Sequence, residues 1–166
     1  MCIGKSMGGG APVSAAIGTR EIMEAWGTSS GEAIHTSTFL GNPLGCAMSR
    51  AAIQTVLDEQ WPDRVSTRGA EVRERLEALQ DDHEAIGDVR GRGLMLGIDL
   101  VTSRASREAD GILARRLTDW CLERGYLVLP SGVHGNVLSV VPPFVITDEQ
   151  LDGFFEVLDE GLSELA

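Results

Sequence analysis

Gly4-Lys5-Ser6-Met7-Gly8-Gly9-Gly10-Ala11-Pro12-Val13-Ser14-Ala15-Ala16-Ile17-Gly18 is the stretch on which the reading of this chain turns. It sets a primary amine on a glycine loop that Pro12 closes. The small apolar run at 13–17 then reads as a buried strand. Gly4-Lys5-Ser6 superficially matches the end of a phosphate-binding P-loop. That motif needs an earlier glycine and a helix after the Lys-Ser pair, whereas here three glycines and Pro12 follow and break any helix. The other reading is a lysine at a strand edge. Its amine can attack a carbonyl carbon when burial or neighbouring charge lowers its pKa. For a lysine taken alone the plain alternative is a surface residue on a loop. Lys5 is nonetheless the single lysine among 14 basic residues.

The remaining composition narrows the field. The 166 residues are 43% hydrophobic and 23% charged, which is globular and neither disordered nor fibrous. A net charge of −11 repels phosphate backbones, so nucleic acid is not an expected partner. No apolar run reaches the roughly 18 residues of a membrane span. Glycines rather than an apolar core follow Lys5, so no secretory leader is expected. Cys2, Cys46 and Cys121 are odd in number and widely spaced, which fits reduced thiols in a cytoplasmic protein. With His35, His83 and His134 they show no metal-ligand spacing, and no metal is expected.

Further along, residues 20–26 read as a short helix and 27–31 as a Ser/Gly loop. Asn42 and Pro43 mark a helix start, and Leu44, Met48, Ala52 and Val56 give it an apolar face. A second helix at 62–79 carries Val65, Val72, Leu76 and Leu79 inward. Residues 81–84 form a polar break. Leu94, Leu96, Ile98 and Leu100 alternate as a strand requires. Leu113, Leu117, Trp120 and Cys121 mark a third long helix, which Gly125 ends. Strands are expected at 126–129 and 137–141. Thr147 and Gln150 form a capping box ahead of a helix with Leu151, Phe154, Phe155, Leu158, Leu162 and Leu165 on its buried face. The class is α/β or α+β, and a lone strand at the front needs partners from elsewhere.

The 4–18 stretch resembles the lysine segment of class III pyridoxal-phosphate aminotransferases, which include the 4-aminobutyrate, ornithine and acetylornithine enzymes. His35-Thr36-Ser37-Thr38-Phe39-Leu40-Gly41-Asn42-Pro43-Leu44-Gly45-Cys46-Ala47 is similar to the family's next segment. Asp88-Val89-Arg90-Gly91-Arg92-Gly93-Leu94-Met95-Leu96-Gly97-Ile98 resembles a strand of its small C-terminal domain, and Val140-Val141-Pro142-Pro143 is a fourth match in order. The resemblance implies fold type I, the α/β fold of pyridoxal-phosphate-dependent transferases. It implies the end of a large domain at 1–70 and a small α+β domain at 71–166. Lys5 would be the catalytic residue and would hold pyridoxal 5'-phosphate as a Schiff base, and Thr38 would bind the cofactor phosphate from the neighbouring subunit of a homodimer. The substrates would be a small-molecule amine or omega-amino acid and a 2-oxo acid.

Two departures from the family pattern matter. Ser139 follows Asn136-Val137-Leu138 where many members carry an arginine for a substrate carboxylate, and serine cannot make that bidentate pair. The family's phosphate loop, ring-stacking aromatic and pyridine-pairing aspartate also lie ahead of the lysine. The 166 residues alone are therefore expected to be inactive and poorly soluble. A truncated or degenerate non-catalytic product is one alternative, and an aminomutase, racemase or decarboxylase relative is another. Arg90, Arg92 and His35 are read as structural, and Trp26, Trp61 and Trp120 as packing residues.

Overall fold

The computed structural model describes residues 1–31 and 35–166. The chain forms two compact units, Met1–Gln60 and Trp61–Ala166. The expected boundary at residue 70 falls inside a continuous helix, Trp61–Asp82, and the whole helix belongs to the second unit. Its Val72 and Leu76 are fully buried in that unit's core, which is why it cannot be divided.

In the first unit, β1 (Cys2–Ile3) pairs antiparallel with β2 (Ala15–Ala16), and a single 3-10 turn, Lys5–Gly8, lies between them. The expected strand at 13–17 is thus only two residues long, and it is not buried: Ala16 is exposed and so is Ile17. Small side chains offer little area to bury, so composition overstated this strand. The short helix α1 (Arg20–Glu24) is capped by Thr19, whose Oγ1 accepts from the Ile22 amide. Helix α2 (Pro43–Asp58) starts as expected, with Asn42 Oδ1 accepting from the Gly45 amide at 3.1 Å. Its buried residues are Gly45 and Ser49 rather than the expected Leu44, which is exposed.

The second unit is a four-stranded antiparallel sheet in the order β3-β4-β6-β5 with helices α3 (Trp61–Asp82), α4 (Gly111–Glu123) and α5 (Asp148–Leu165). The strands are β3 (Ile86–Arg92), β4 (Met95–Leu100), β5 (Leu129–Ser131) and β6 (Val137–Val140). The strand expected at 126–129 lies further on, at β5. Strand β3 is an addition. Its buried residues Ile86 and Val89 are three apart instead of two or four, because a bulge between Ile86 and Asp88 shifts the register. Buried Leu96, Ile98, Leu100, Leu138 and Val140 meet Leu113, Leu117, Leu151, Leu158 and Leu162 in one core. The capping box on α5 is present in full, with Thr147 Oγ1 accepting from the Gln150 amide and Gln150 Oε1 from the Thr147 amide.

Two contacts fix this unit. A Cβ at Gly69 of α3 would overlap the Gly93 backbone, so only a glycine lets the β3–β4 hairpin turn rest on the helix. Arginines also cover the open edge of β3. Arg73 donates to the Val89 and Gly91 carbonyls at 3.4 Å, and Arg104 to those of Ile86 and His83 at 3.2 and 2.9 Å. Filling an edge in this way blocks pairing with another strand. Ion pairs Arg68–Asp148 and Arg75–Asp152 and a hydrogen bond between His83 and Asp159 then join the α3 end of the unit to α5.

Two outcomes follow. Gly69→Ala should lower the stability of the second unit by about 1–3 kcal/mol through overpacking, read as a lower thermal midpoint by circular dichroism. Burial pushes the Cys121 thiol up to about 11 from 9.0. The unfolded chain then loses that proton first as pH rises, so this contribution to stability is complete below pH 9.0 and is lost by about pH 11. In a thiol titration at pH 8, Cys2 and Cys46, both exposed, should react at once and Cys121 only on unfolding.

Candidate active site

Lys5 begins the 3-10 turn with its backbone at φ +55°, a left-handed conformation uncommon outside glycine. Gly4 before it is extended, at φ −162°. The turn is tied locally by the Met7 amide to the Gly4 carbonyl at 3.3 Å and the Gly9 amide to the Ser6 carbonyl at 3.1 Å. Lys5 is exposed, and among the described residues its Nζ has no ion pair or hydrogen bond.

The glycines following Lys5 seat the loop on α2. A Cβ on Gly9, at φ +56°, would stand 3.2 Å from Ala52 Cβ and 3.4 Å from the Met48 carbonyl oxygen. On the same face, Val13 Cγ2 lies 2.8 Å from where a Gly45 Cβ would be. Gly8 is buried against Val13. The lysine turn and the helix are thus held backbone to backbone, with side chains reduced to hydrogens where they meet.

Thr38 lies in the turn that leads into α2 and is exposed. Around it the Leu40 amide donates to the Ser37 carbonyl and the Asn42 amide to the Phe39 carbonyl, each at 3.1 Å. The first turn of α2 offers an anion less than its sequence suggests. Pro43 has no N–H, Asn42 Oδ1 occupies the Gly45 amide, and the Cys46 amide bonds the Asn42 carbonyl at 2.9 Å. The Thr38 hydroxyl is one of three exposed hydroxyls in this loop, with those of Thr36 and Ser37. Among the described residues no hydrogen bond joins Thr38 to Lys5.

Of the residues read as structural or packing, Arg90, Trp61 and Trp120 make such contacts, while Arg92 is exposed and Trp26, 57% exposed, is not a packed residue. Arg90 pairs with Asp88 at 2.9 Å and Asp99 at 3.3 Å, and hydrogen bonds to both carboxylates raise its pKa. Asp99 also accepts from Asn136 Nδ2 at 2.6 Å, which completes a polar chain over three strands. Sequence reading had treated Asp99 only as the outward position of a strand. Ser139 Oγ is 2.8 Å from Ser131 Oγ, so a hydroxyl pair occupies this part of the sheet face. His83 bonds Asp159 at 2.6 Å, and the His35 and Trp26 rings lie 5.3 Å apart. Trp120 Nε1 donates to the Val157 carbonyl at 2.9 Å, and Trp61 stacks near Phe144. No group of metal ligands occurs among the described residues, and no described helix is long and apolar enough to cross a membrane.

Residues 1–162 match the family described as Aminotransferase class-III, so the chain belongs to the class III aminotransferase family. It is 32% identical over 163 residues to a leucine/methionine racemase of Thermococcus litoralis, covering 98% of this chain and 35% of that protein. It is 37% identical over 165 residues to an ornithine aminotransferase of an Exiguobacterium species, covering 99% and 37%. A solved phospholyase from Arthrobacter in complex with phosphoethanolamine superposes with a TM-score of 0.88 at 33% identity, over 99% of this chain and 38% of that one. The α/β architecture is accordingly part of fold type I. The chain spans about a third of the length of the curated relatives it matches.

The residues present fit the family's cofactor at the lysine end: Lys5 offers an exposed primary amine, the group that condenses with an aldehyde, on a turn that glycines seat on α2. The cap on α2 gives a direct check. Asn42→Ala should cost about 0.5–2 kcal/mol and fray the first turn behind Thr38, seen as faster amide exchange at 44–46.

Proposed function

We propose that these residues supply the reactive lysine and the small domain of a pyridoxal 5'-phosphate-dependent aminotransferase. The enzyme moves an amino group between a primary amine or omega-amino acid and a 2-oxo acid. The observation that carries this reading is Lys5: the single lysine of the chain, on a glycine turn, at a left-handed backbone position, with its amine exposed. Family membership supports it.

When bound, pyridoxal 5'-phosphate supplies an aldehyde carbon for amine exchange and a ring that draws electrons from the substrate's Cα. Lys5 Nζ is the group that attaches to it. Lys5 Nζ, when not attached to the cofactor, would be the group to take the substrate's Cα proton as general base and to return it as general acid. Thr38 Oγ1 donates a hydrogen bond to the phosphate from the neighbouring subunit of a homodimer. The glycines hold the Lys5 turn against α2, so the amine starts from a fixed base. The unit Met1–Gln60 would belong to the end of a large domain and the unit Trp61–Ala166 would hold the small domain. Reduced thiols fit a cytoplasmic location.

A second reading keeps Lys5 and changes the outcome. Similarity to a leucine/methionine racemase supports proton return to the opposite face of Cα with no amino transfer. The Ser131–Ser139 hydroxyl pair leaves no arginine at that point of the sheet face for a carboxylate, so the amine partner is expected to lack an α-carboxylate bound there.

Turnover of the protein carrying this chain separates the readings. Transamination should consume a 2-oxo acid in proportion to amine, and racemisation should not. Lys5→Ala should lower the rate about 10²- to 10⁴-fold, the usual worth of a general base. Thr38→Ala should weaken cofactor binding by roughly ten- to a hundredfold, as the loss of a hydrogen bond to a charged group implies. Unchanged turnover in Lys5→Ala contradicts both readings.

A further inference from the structure

Thr38 lies between two fixed points of the chain, His35 before it and Asn42 after it. Asn42 holds the later end, because its side chain caps α2 at the Gly45 amide. Between them the hydrogen bonds are local, from Leu40 back to Ser37 and from Asn42 back to Phe39. The larger side chains do not anchor the loop either, since Phe39 and Leu40 are exposed. Among the described residues, no hydrogen bond or ion pair of 35–41 reaches a residue before His35 or beyond Asn42.

The earlier end is held by a ring contact. The His35 and Trp26 rings lie 5.3 Å apart and are tilted by 47°, a distance and angle at which aromatic rings attract. Trp26 has a firm base for this. The amides on either side of it, Ala25 and Gly27, donate to the Ile22 and Glu24 carbonyls at 3.3 and 3.1 Å, so its backbone is tied to α1. More than half of the Trp26 side chain is exposed, and His35 is the one ring against it among the described residues. A large aromatic left so open gains little from burial, so the contact with His35 is what its ring supplies. A hydroxyl on a loop that is already held meets an anion without the cost of ordering that loop at the moment of binding.

We propose that Trp26 and His35 form a clasp that holds the Thr38 loop to α1. Trp26 is a positioning residue, acting through His35, and Thr38 Oγ1 is the group whose placement it sets. The use of the clasp rests on the reading of Thr38 as a donor to the cofactor phosphate. The clasp itself is a contact within the first unit, and its strength is measured without the cofactor.

The test uses the protein that carries this chain, first free of cofactor. Amide exchange over 38–42, followed by mass spectrometry, should quicken about 2- to 10-fold in Trp26→Ala, the worth of one aromatic pair. His35→Ala should do the same, and the double variant should be no faster than either single one. Trp26→Phe keeps a ring and should restore most of the protection. Exchange at 47–56, in the body of α2, should stay as in the parent and so report an intact fold. Affinity for pyridoxal 5'-phosphate is then measured in the same variants. Trp26→Ala should weaken it about 2- to 10-fold, and should weaken it no further when added to Thr38→Ala, because Trp26 acts through that loop. Unchanged exchange over 38–42 in both single variants overturns the clasp. An equal loss of affinity with and without Thr38 overturns the positioning role, since general loosening acts alike in both. Faster exchange in Trp26→Ala beside unaltered affinity in Thr38→Ala overturns the phosphate reading and leaves the clasp standing.

Discussion

The placement of the lysine depends on one close approach: the glycine loop lying directly on the small-residue face of α2. Gly9 meets Ala52, and Val13 meets Gly45, at separations a larger side chain would not allow. The Lys5–Gly8 turn has little else to hold it, since β1 and β2 share only a two-residue ladder. A backbone held by van der Waals contact is stiff against compression and free to pivot at its glycines. That combination suits an amine that must be held in place and must also change partners during a reaction.

The two units differ in what holds them. The second unit has a continuous apolar core, a covered sheet edge and ion pairs from α3 to α5. In the first unit Ile22, Trp26, Phe39, Leu40, Leu44 and Leu57 are exposed. The chain spans about a third of the length of the curated relatives it matches. The inner face of α3 is filled within the chain, by Val72 and Leu76.

Much of this was legible in the residues because local chemistry decided it. The Thr147 capping box, the Asn42–Pro43 helix start, the alternation at 94–100 and the Leu113, Leu117 and Cys121 stripe each depend on neighbours a few positions away. The failures are tertiary. Strand β3 was hidden because a bulge breaks its two-residue period and glycines dilute its apolar signal. The small residues at 13–17 looked buried, yet no second layer covers them. Ser49 could not be found from sequence, because a serine on a helix gives no sign of whether a loop will close over it. Lys5 was found through its motif, and its left-handed backbone could not have been.

The central claim is that Lys5 Nζ is the attachment point for pyridoxal 5'-phosphate. Incubating the protein that carries this chain with the cofactor, reducing with borohydride and mapping the product by peptide mass spectrometry tests it most directly. The account predicts a phosphopyridoxyl group on the peptide containing Lys5 and none there in Lys5→Ala. Incorporation only at other amines of that protein, or none at all, would contradict it.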